Sequence, residues 1–149
     1  MLLFLKVRRN YYMCMVNKHR KGLSKEKELC ELLKTLGYAP IRMNWAKFGA
    51  KDFWGIFDIL APHDEKQALF IQVKNHKTFG PAQLLEEKNK LETFKMKAVH
   101  MRVLMMLAIR KQPRWVGRGK NKIFQNGGWE FHIYHPEYRL WKEIPKDDL

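Results

Sequence analysis

Cysteine is nearly absent from this 149-residue chain: only Cys14 and Cys30 occur, with no CxxC pair. A disulfide framework or a zinc ribbon is left without support, and a reducing compartment is expected. No apolar run approaches the ~20 residues needed to span a bilayer. The opening MLLFL is too short for a signal-peptide core, and Arg8-Arg9 is followed by Asn-Tyr-Tyr. A cytoplasmic protein with no membrane partner is therefore expected. Acids are scarce as well, with 15 Asp plus Glu against 29 Lys plus Arg, for a formal charge of +14. Such an excess destabilises a compact fold by self-repulsion and usually persists because a polyanion neutralises it. Nucleic acid is the commonest such partner, and an anionic membrane surface is the competitor.

No P-loop is present, since Gly117-Arg118-Gly119-Lys120 lacks the GxxxxGK[ST] pattern, so no nucleotide cofactor is indicated. No helix-turn-helix or zinc-finger reader is evident, which suits recognition of DNA shape more than of base sequence. What is present is an ordinary globular composition, 46% hydrophobic and 13% aromatic, at the size of one domain.

Residues 1–21 read as a basic N-terminal extension carrying Lys6, Arg8, Arg9, Lys18, His19, Arg20 and Lys21, and residues 22–149 as a single domain. The first strong element is a helix near 24–36, with Ser24 as N-cap, a Leu29, Leu32, Leu33, Leu36 stripe, and Gly37 as the stop. A short strand is expected at Ala39 to Met43, then a loop over 44–55. Ile56 to Ala61 and Ala68 to Lys74 read as two strands joined by the polar turn Pro62 to Lys66, the spacing of a hairpin. Pro81 starts a second helix running to about Lys97. Val103 to Ile109 is apolar on both faces, as in a fully buried central strand. A basic segment over Arg110 to Lys122 follows, then a last strand at Trp129 to Tyr134 and a polar tail. Alternation of strands and helices predicts one α/β domain.

Period-2 alternation puts Phe70, Gln72 and Lys74 on one strand face. Asp58 stands in the preceding strand, on the face of Ile56 and Leu60, and pairing of the two strands brings it beside Gln72 and Lys74. A carboxylate among apolar strand residues needs a partner, which a divalent cation or Lys74 supplies. Phosphodiester hydrolysis uses this set: it requires charge neutralisation on the phosphate and an activated water. Mg²⁺ takes oxygen ligands, available from the Asp58 carboxylate, the Gln72 amide and the Val73 carbonyl; Mn²⁺ is expected to substitute. Lys74 would orient or deprotonate the water. The bland reading is a plain Asp58–Lys74 ion pair with Gln72 a bystander; the charge of the chain favours the functional one.

Gly55 to Leu60 followed by Phe70-Ile71-Gln72-Val73-Lys74 resembles the PD-(D/E)xK nuclease signature, with Gln72 in the acidic slot and Phe57 in place of proline. Arg20 to Leu29, then Leu36-Gly37-Tyr38 and Arg42, resembles the N-terminal half of archaeal-type Holliday-junction resolvases and their phage relatives. The resemblance covers about residues 20–110. It implies a restriction-endonuclease-like mixed central sheet flanked by helices, a homodimer, and Mg²⁺-dependent symmetric incision of four-way DNA junctions in a prokaryotic cell or phage-infected host. It also implies a metal-site or water-binding role for Glu26. Helix geometry leaves Glu26 and Glu28 on opposite edges of the core-facing stripe, and the resemblance favours Glu26. Gln72 removes one negative charge from the site; Asp52, in the loop before Gly55, either restores it or, as the more ordinary reading, is a turn residue.

Arg20, Lys21, Arg42, Asn44, Lys47, Lys51, Lys77, Arg118 and Lys120 are the expected DNA contacts, with Trp115 interleaved among the later cations. Asn44 and Lys47 fall where members of the resembled family carry polar residues near the scissile phosphate. Gln83 either reaches the site or caps the second helix. His132 and His135, three apart on a strand, should lie on opposite faces and do not suggest a zinc pair. A restriction- or repair-type duplex endonuclease of the same fold, or an inactive nucleic-acid-binding domain, are the alternatives.

Overall fold

A computed structural model describes residues 23–42, 56–76, 80–95 and 100–149. The first described element is helix α1, residues 23–35. Its Leu29 and Leu33 are fully buried, with Leu32 and Leu36 packed against the same cluster, so the leucine stripe does face the core. Gly37 ends the helix at φ +88, a conformation that disfavours side chains. The amides of Gly37 and Tyr38 close the last turn on the Lys34 and Leu33 carbonyls.

Six strands then form one sheet in the order β1-β2-β3-β4-β7-β8. They are β1 (Ile41–Arg42), β2 (Ile59–Ala61), β3 (Ala68–His76), β4 (Val103–Lys111), β7 (Gly128–His135) and β8 (Leu140–Ile144). Between β4 and β7 a separate two-stranded ribbon, β5 (Arg114–Val116) with β6 (Ile123–Gln125), projects as a hairpin. Helix α2 (Pro81–Glu92) connects β3 to β4, which pair in parallel; the other described pairings are antiparallel. The expected α/β fold with a mixed central sheet flanked by helices is what the chain adopts.

The two helices lie on opposite faces of the sheet. One core cluster joins Leu29 and Leu33 of α1 to Ile59, Leu69, Ile71, Met106, Ala108, Phe131 and Ile133. The other joins Leu91 and Phe94 to Phe70, Met105, Leu107, Ile109 and Tyr134. Strand β4 supplies both clusters by turns, so its residues from Met105 to Ile109 are all buried, as its unbroken apolar run predicts.

Two expected bounds are corrected, and two segments read only by composition gain a structure. The strand beginning at Ile56 is shorter, with Phe57 an isolated bridge and β2 opening only at Ile59. In the polar tail after Tyr134, β8 pairs with β7 along its whole length. The basic segment after β4 forms the β5–β6 hairpin, with residues 117–120 at its turn. Helix α2 ends at Glu92, short of the expected Lys97, which itself lies outside the described residues. The extension over 1–21, Met43 and the loop 44–55 also lie outside them.

Candidate active site at the β2–β3 strand ends

The chain kinks at Asp58. Strict alternation from Ile59, which packs on the α1 side, would send Phe57 to that side too; instead Phe57 packs with Leu60 on the α2 side. Phe57 is fully buried there, 5.2 Å from both Phe70 and Phe94 between ring centroids. The carboxylate explains the irregularity. Its Oδ2 accepts the Val73 amide at 2.7 Å, a donor that a regular ladder would give to a backbone carbonyl, while the Asp58 amide donates to the Ile71 carbonyl at 2.9 Å. Asp58 is thereby clamped on β3 from both ends of the residue.

The paired register of β2 and β3 ends at Ile59–Ile71, and the two hydrogen bonds set Asp58 against β3 between Ile71 and Val73, the stretch that contains Gln72. Gln72 lies on the α2 face, beyond Phe70, and its Oε1 is buried with no hydrogen-bond partner among the described residues. An orphaned buried acceptor costs about 1–3 kcal/mol, and an amide oxygen and a carboxylate are donor types that a hard cation takes. Asp58 and Gln72 thus offer the donor types that the strand pattern suggested for a hard cation.

Lys74 follows on the same face. Its Nζ lies 3.0 Å from Glu87 Oε2 in an ion pair whose alignment is too poor for a hydrogen bond. Glu87 projects from α2 onto the sheet in the company of Leu91 and is only 9% exposed. Burial pushes its carboxyl up, but Lys74 and Lys90, the latter 3.2 Å away, outweigh that and hold it below the usual carboxylate range. The sequence reading did not single out Glu87. Its recognisable signal was a glutamate standing at i+3 from Leu84 and i−4 from Leu91, within the helix's apolar stripe.

The remaining expected residues are distributed more widely. Glu26 is half-buried and 3.5 Å from Arg42, so these two candidates neutralise one another across α1 and β1. Glu28 takes Arg110 at 2.7 Å and Lys25 at 2.5 Å. Burial raises its carboxyl, and those two cations more than reverse the shift. Val73 engages Asp58 through its amide. Gln83 caps α2, its Oε1 accepting the Gly80 amide at 3.0 Å. Arg118 and Lys120 stand exposed in the hairpin turn. Arg20, Lys21, Asn44, Lys47, Lys51, Asp52 and Lys77 lie outside the described residues.

A second polar group, missed in the sequence, shares the α2 face. Glu130, His132 and Glu143 have donor atoms within 4.8 Å of one another. His132 is buried and its Nε2 lies 2.7 Å from Glu130 Oε1. His132 does lie on the opposite face from Ile133 and its cluster, as alternation requires. Lys111 pairs with Glu130. Burial raises the Glu130 carboxyl, and Lys111 and His132 bring it below its usual range. The same group is in line with the first: Gln72 pairs with Leu107, Leu107 with His132, and His132 with Glu143. Fully buried Leu107 separates the two across about 10 Å, two strand spacings.

No family model matches the chain. The UPF0102 proteins of two Helicobacter pylori strains, Shi470 and HPAG1, are each 46% identical to it over 68 residues, 44% of this chain and 53% of theirs. The chain thus spans about half the length of the curated relatives it matches. A solved structure of Archaeoglobus fulgidus Hjc, a Holliday junction resolvase from an archaeal hyperthermophile, aligns over 74% of both chains at 23% identity, with a TM-score of 0.44.

Proposed function

We propose that this protein is a divalent-metal-dependent DNA endonuclease that cuts four-way junctions as a homodimer. The observation that carries the reading is the buried Gln72 Oε1, without a hydrogen-bond partner among the described residues, on the strand that clamps the Asp58 carboxylate and carries the Lys74 ammonium two residues on. Asp58, Gln72 and the Val73 carbonyl would hold Mg²⁺ or Mn²⁺, while Glu26, on the α1 side and paired with Arg42, would at most hold a water at the strand end. Bound there, the cation would neutralise charge on the scissile phosphate and lower the pKa of a water. Lys74 orients that water and balances the phosphate charge. Glu87 fixes where the ammonium sits, and its carboxylate restores the negative charge that a glutamine at position 72 removes.

The junction preference draws on the resemblance of residues 20–110 to archaeal-type resolvases and on a charge of +14 without a base-reading motif. Two symmetric cuts require two sites related by a twofold axis, which a C2 dimer supplies.

Labelled four-way junction, linear duplex and single strand, each with Mg²⁺ or EDTA, separate the readings. Paired nicks in the junction alone, absent in EDTA, are expected. Asp58→Asn should reduce cutting by at least about a hundredfold while leaving junction binding intact. Cutting of plain duplex would point to a restriction- or repair-type enzyme, and binding with no cutting in Mg²⁺ or Mn²⁺ would sink the nuclease reading.

A further inference from the structure

The β5–β6 hairpin carries large apolar side chains with no core beneath them. Trp115 is 67% exposed, Ile123 71% and Phe124 47%, and Val116 is exposed as well. Trp115 and Phe124 are directly paired across the ribbon, with ring centroids 5.1 Å apart and planes at 58°, so they form one aromatic face. Val116 and Ile123 are the next pair along and point to the other face. A lone two-stranded ribbon is marginal in water; the Trp115–Phe124 pair steadies it, yet apolar residues on both exposed faces leave area of the kind another surface covers.

The turn is built to hold its shape. Gly117 has φ +116, and a Cβ there would stand 2.5 Å from the Asn121 carbonyl oxygen, so only glycine fits. At the root, a Cβ on Gly127 would meet the Lys111 carbonyl oxygen at 2.5 Å and Pro113, so the two legs are pinched together. Around the apolar pairs stand Arg114, Arg118, Lys120 and Lys122, and residues 111–129 contain no Asp or Glu. Arg118, Lys120 and Lys122 form no ion pair with the described residues.

Position selects the partner. The hairpin leaves the sheet at the end of β4, where Lys111 pairs with His76 and Ile109 with Lys74. At its root, Gln112 Nε2 donates to Asn75 Oδ1 at 3.3 Å. The ribbon therefore rises from the strand end that carries Lys74, and a polyanion lying at the candidate site meets it next. A second copy of a +14 chain is disfavoured there by charge.

We propose that this hairpin is a base-stacking prong: Trp115 and Phe124 receive unpaired bases of DNA, while Arg118, Lys120 and Lys122 hold the adjoining phosphates. Aromatic faces accept any base, and each stacked base strengthens binding substantially, whereas paired bases offer no free face. The prong supplies a preference for branched or locally open DNA without any reading of sequence. The choice of DNA rests on the nuclease reading of the β2–β3 site; the stacking itself does not.

The test uses the full chain in EDTA, with fluorescence anisotropy on a labelled thymidine oligonucleotide, a blunt duplex and a four-way junction. The Trp115→Ala/Phe124→Ala variant should bind the single strand about tenfold more weakly and the duplex within about twofold of wild type. Trp115→Phe should restore most of the loss. Neutralising Arg118, Lys120 and Lys122 to glutamine should weaken all three probes and flatten their salt dependence. An unchanged thermal melt checks that the exposed substitutions leave the fold alone. Equal losses on single strand and duplex, or none on either, overturn the proposal. So does loss of binding to phosphatidylserine vesicles with single-strand affinity unchanged. Mg²⁺-dependent cutting is measured separately on the wild type. Cutting with no change in single-strand affinity in the variant sinks the prong alone; lost affinity without cutting supports the prong and sinks the nuclease.

Discussion

Lys74 and Glu87 meet between β3 and α2, Nζ 3.0 Å from Oε2, and so tie the strand that presents the candidate site to the helix that covers it. The Glu87 carboxyl lies below its ordinary range because Lys74 and Lys90 overcome the effect of burial. A depressed folded-state value makes the pair's contribution complete above the unfolded glutamate value of about 4.3. That contribution disappears as pH falls through the lower folded value. Glu87→Gln should therefore lower Tm at neutral pH, at about 2–4 °C per kcal/mol for a chain of this size. The gap to wild type should close as pH falls below 4.3. A gap that stays constant from pH 7 to pH 3 by calorimetry would refute the ion-pair account.

Gln72→Glu distinguishes a ligand from a bystander. If the amide oxygen holds metal, a carboxylate there should lower the Mg²⁺ concentration at half-maximal cutting by about tenfold or keep it no higher. The same change buries a new charge, so the apo protein should be less stable and regain stability on adding Mg²⁺. An identical Mg²⁺ dependence and an unshifted melt in both forms would remove Gln72 from the ligand set.

Leu107→Ala tests the sheet's centre. Leu107 is fully buried between β3 and β7, and truncation there should cost about 2–5 kcal/mol. Urea unfolding should show an earlier midpoint with an unchanged slope. A loss under about 1 kcal/mol would mean that the site collapses around the cavity.

Elements whose side chains alone decide their place could be read in the chain. The leucine stripe of α1 and the two-sided run of β4 are of this kind, because periodicity reports burial directly. The common face of Gln72 and Lys74 also followed from alternation alone. Strand β8 escaped because an edge strand exposes most of its residues: Leu140, Lys142 and Glu143 stand in solvent and leave a weak pattern. In β5–β6 the cations masked the pairing of Trp115 with Phe124, which depends on the Gly117 turn. Glu87 and the Glu130–His132–Glu143 group escaped for another reason. They are assembled by helix docking and strand register between distant residues, and no local spacing encodes that. The kink at Asp58 is a side-chain hydrogen bond overriding a strand pattern.

Leu107 has a meaning beyond packing. Lying between Gln72 and His132 in one rung of the sheet, it is an insulator, a dry methyl-lined partition between two polar compartments under the same helix. It breaks any side-chain hydrogen-bond chain between them, although a dry gap screens charge poorly and a charge on one side is still felt on the other. The β7–β8 group and the β2–β3 strand ends therefore share no side-chain hydrogen bond across this rung of the sheet, and one polar substitution at position 107 would supply the missing link.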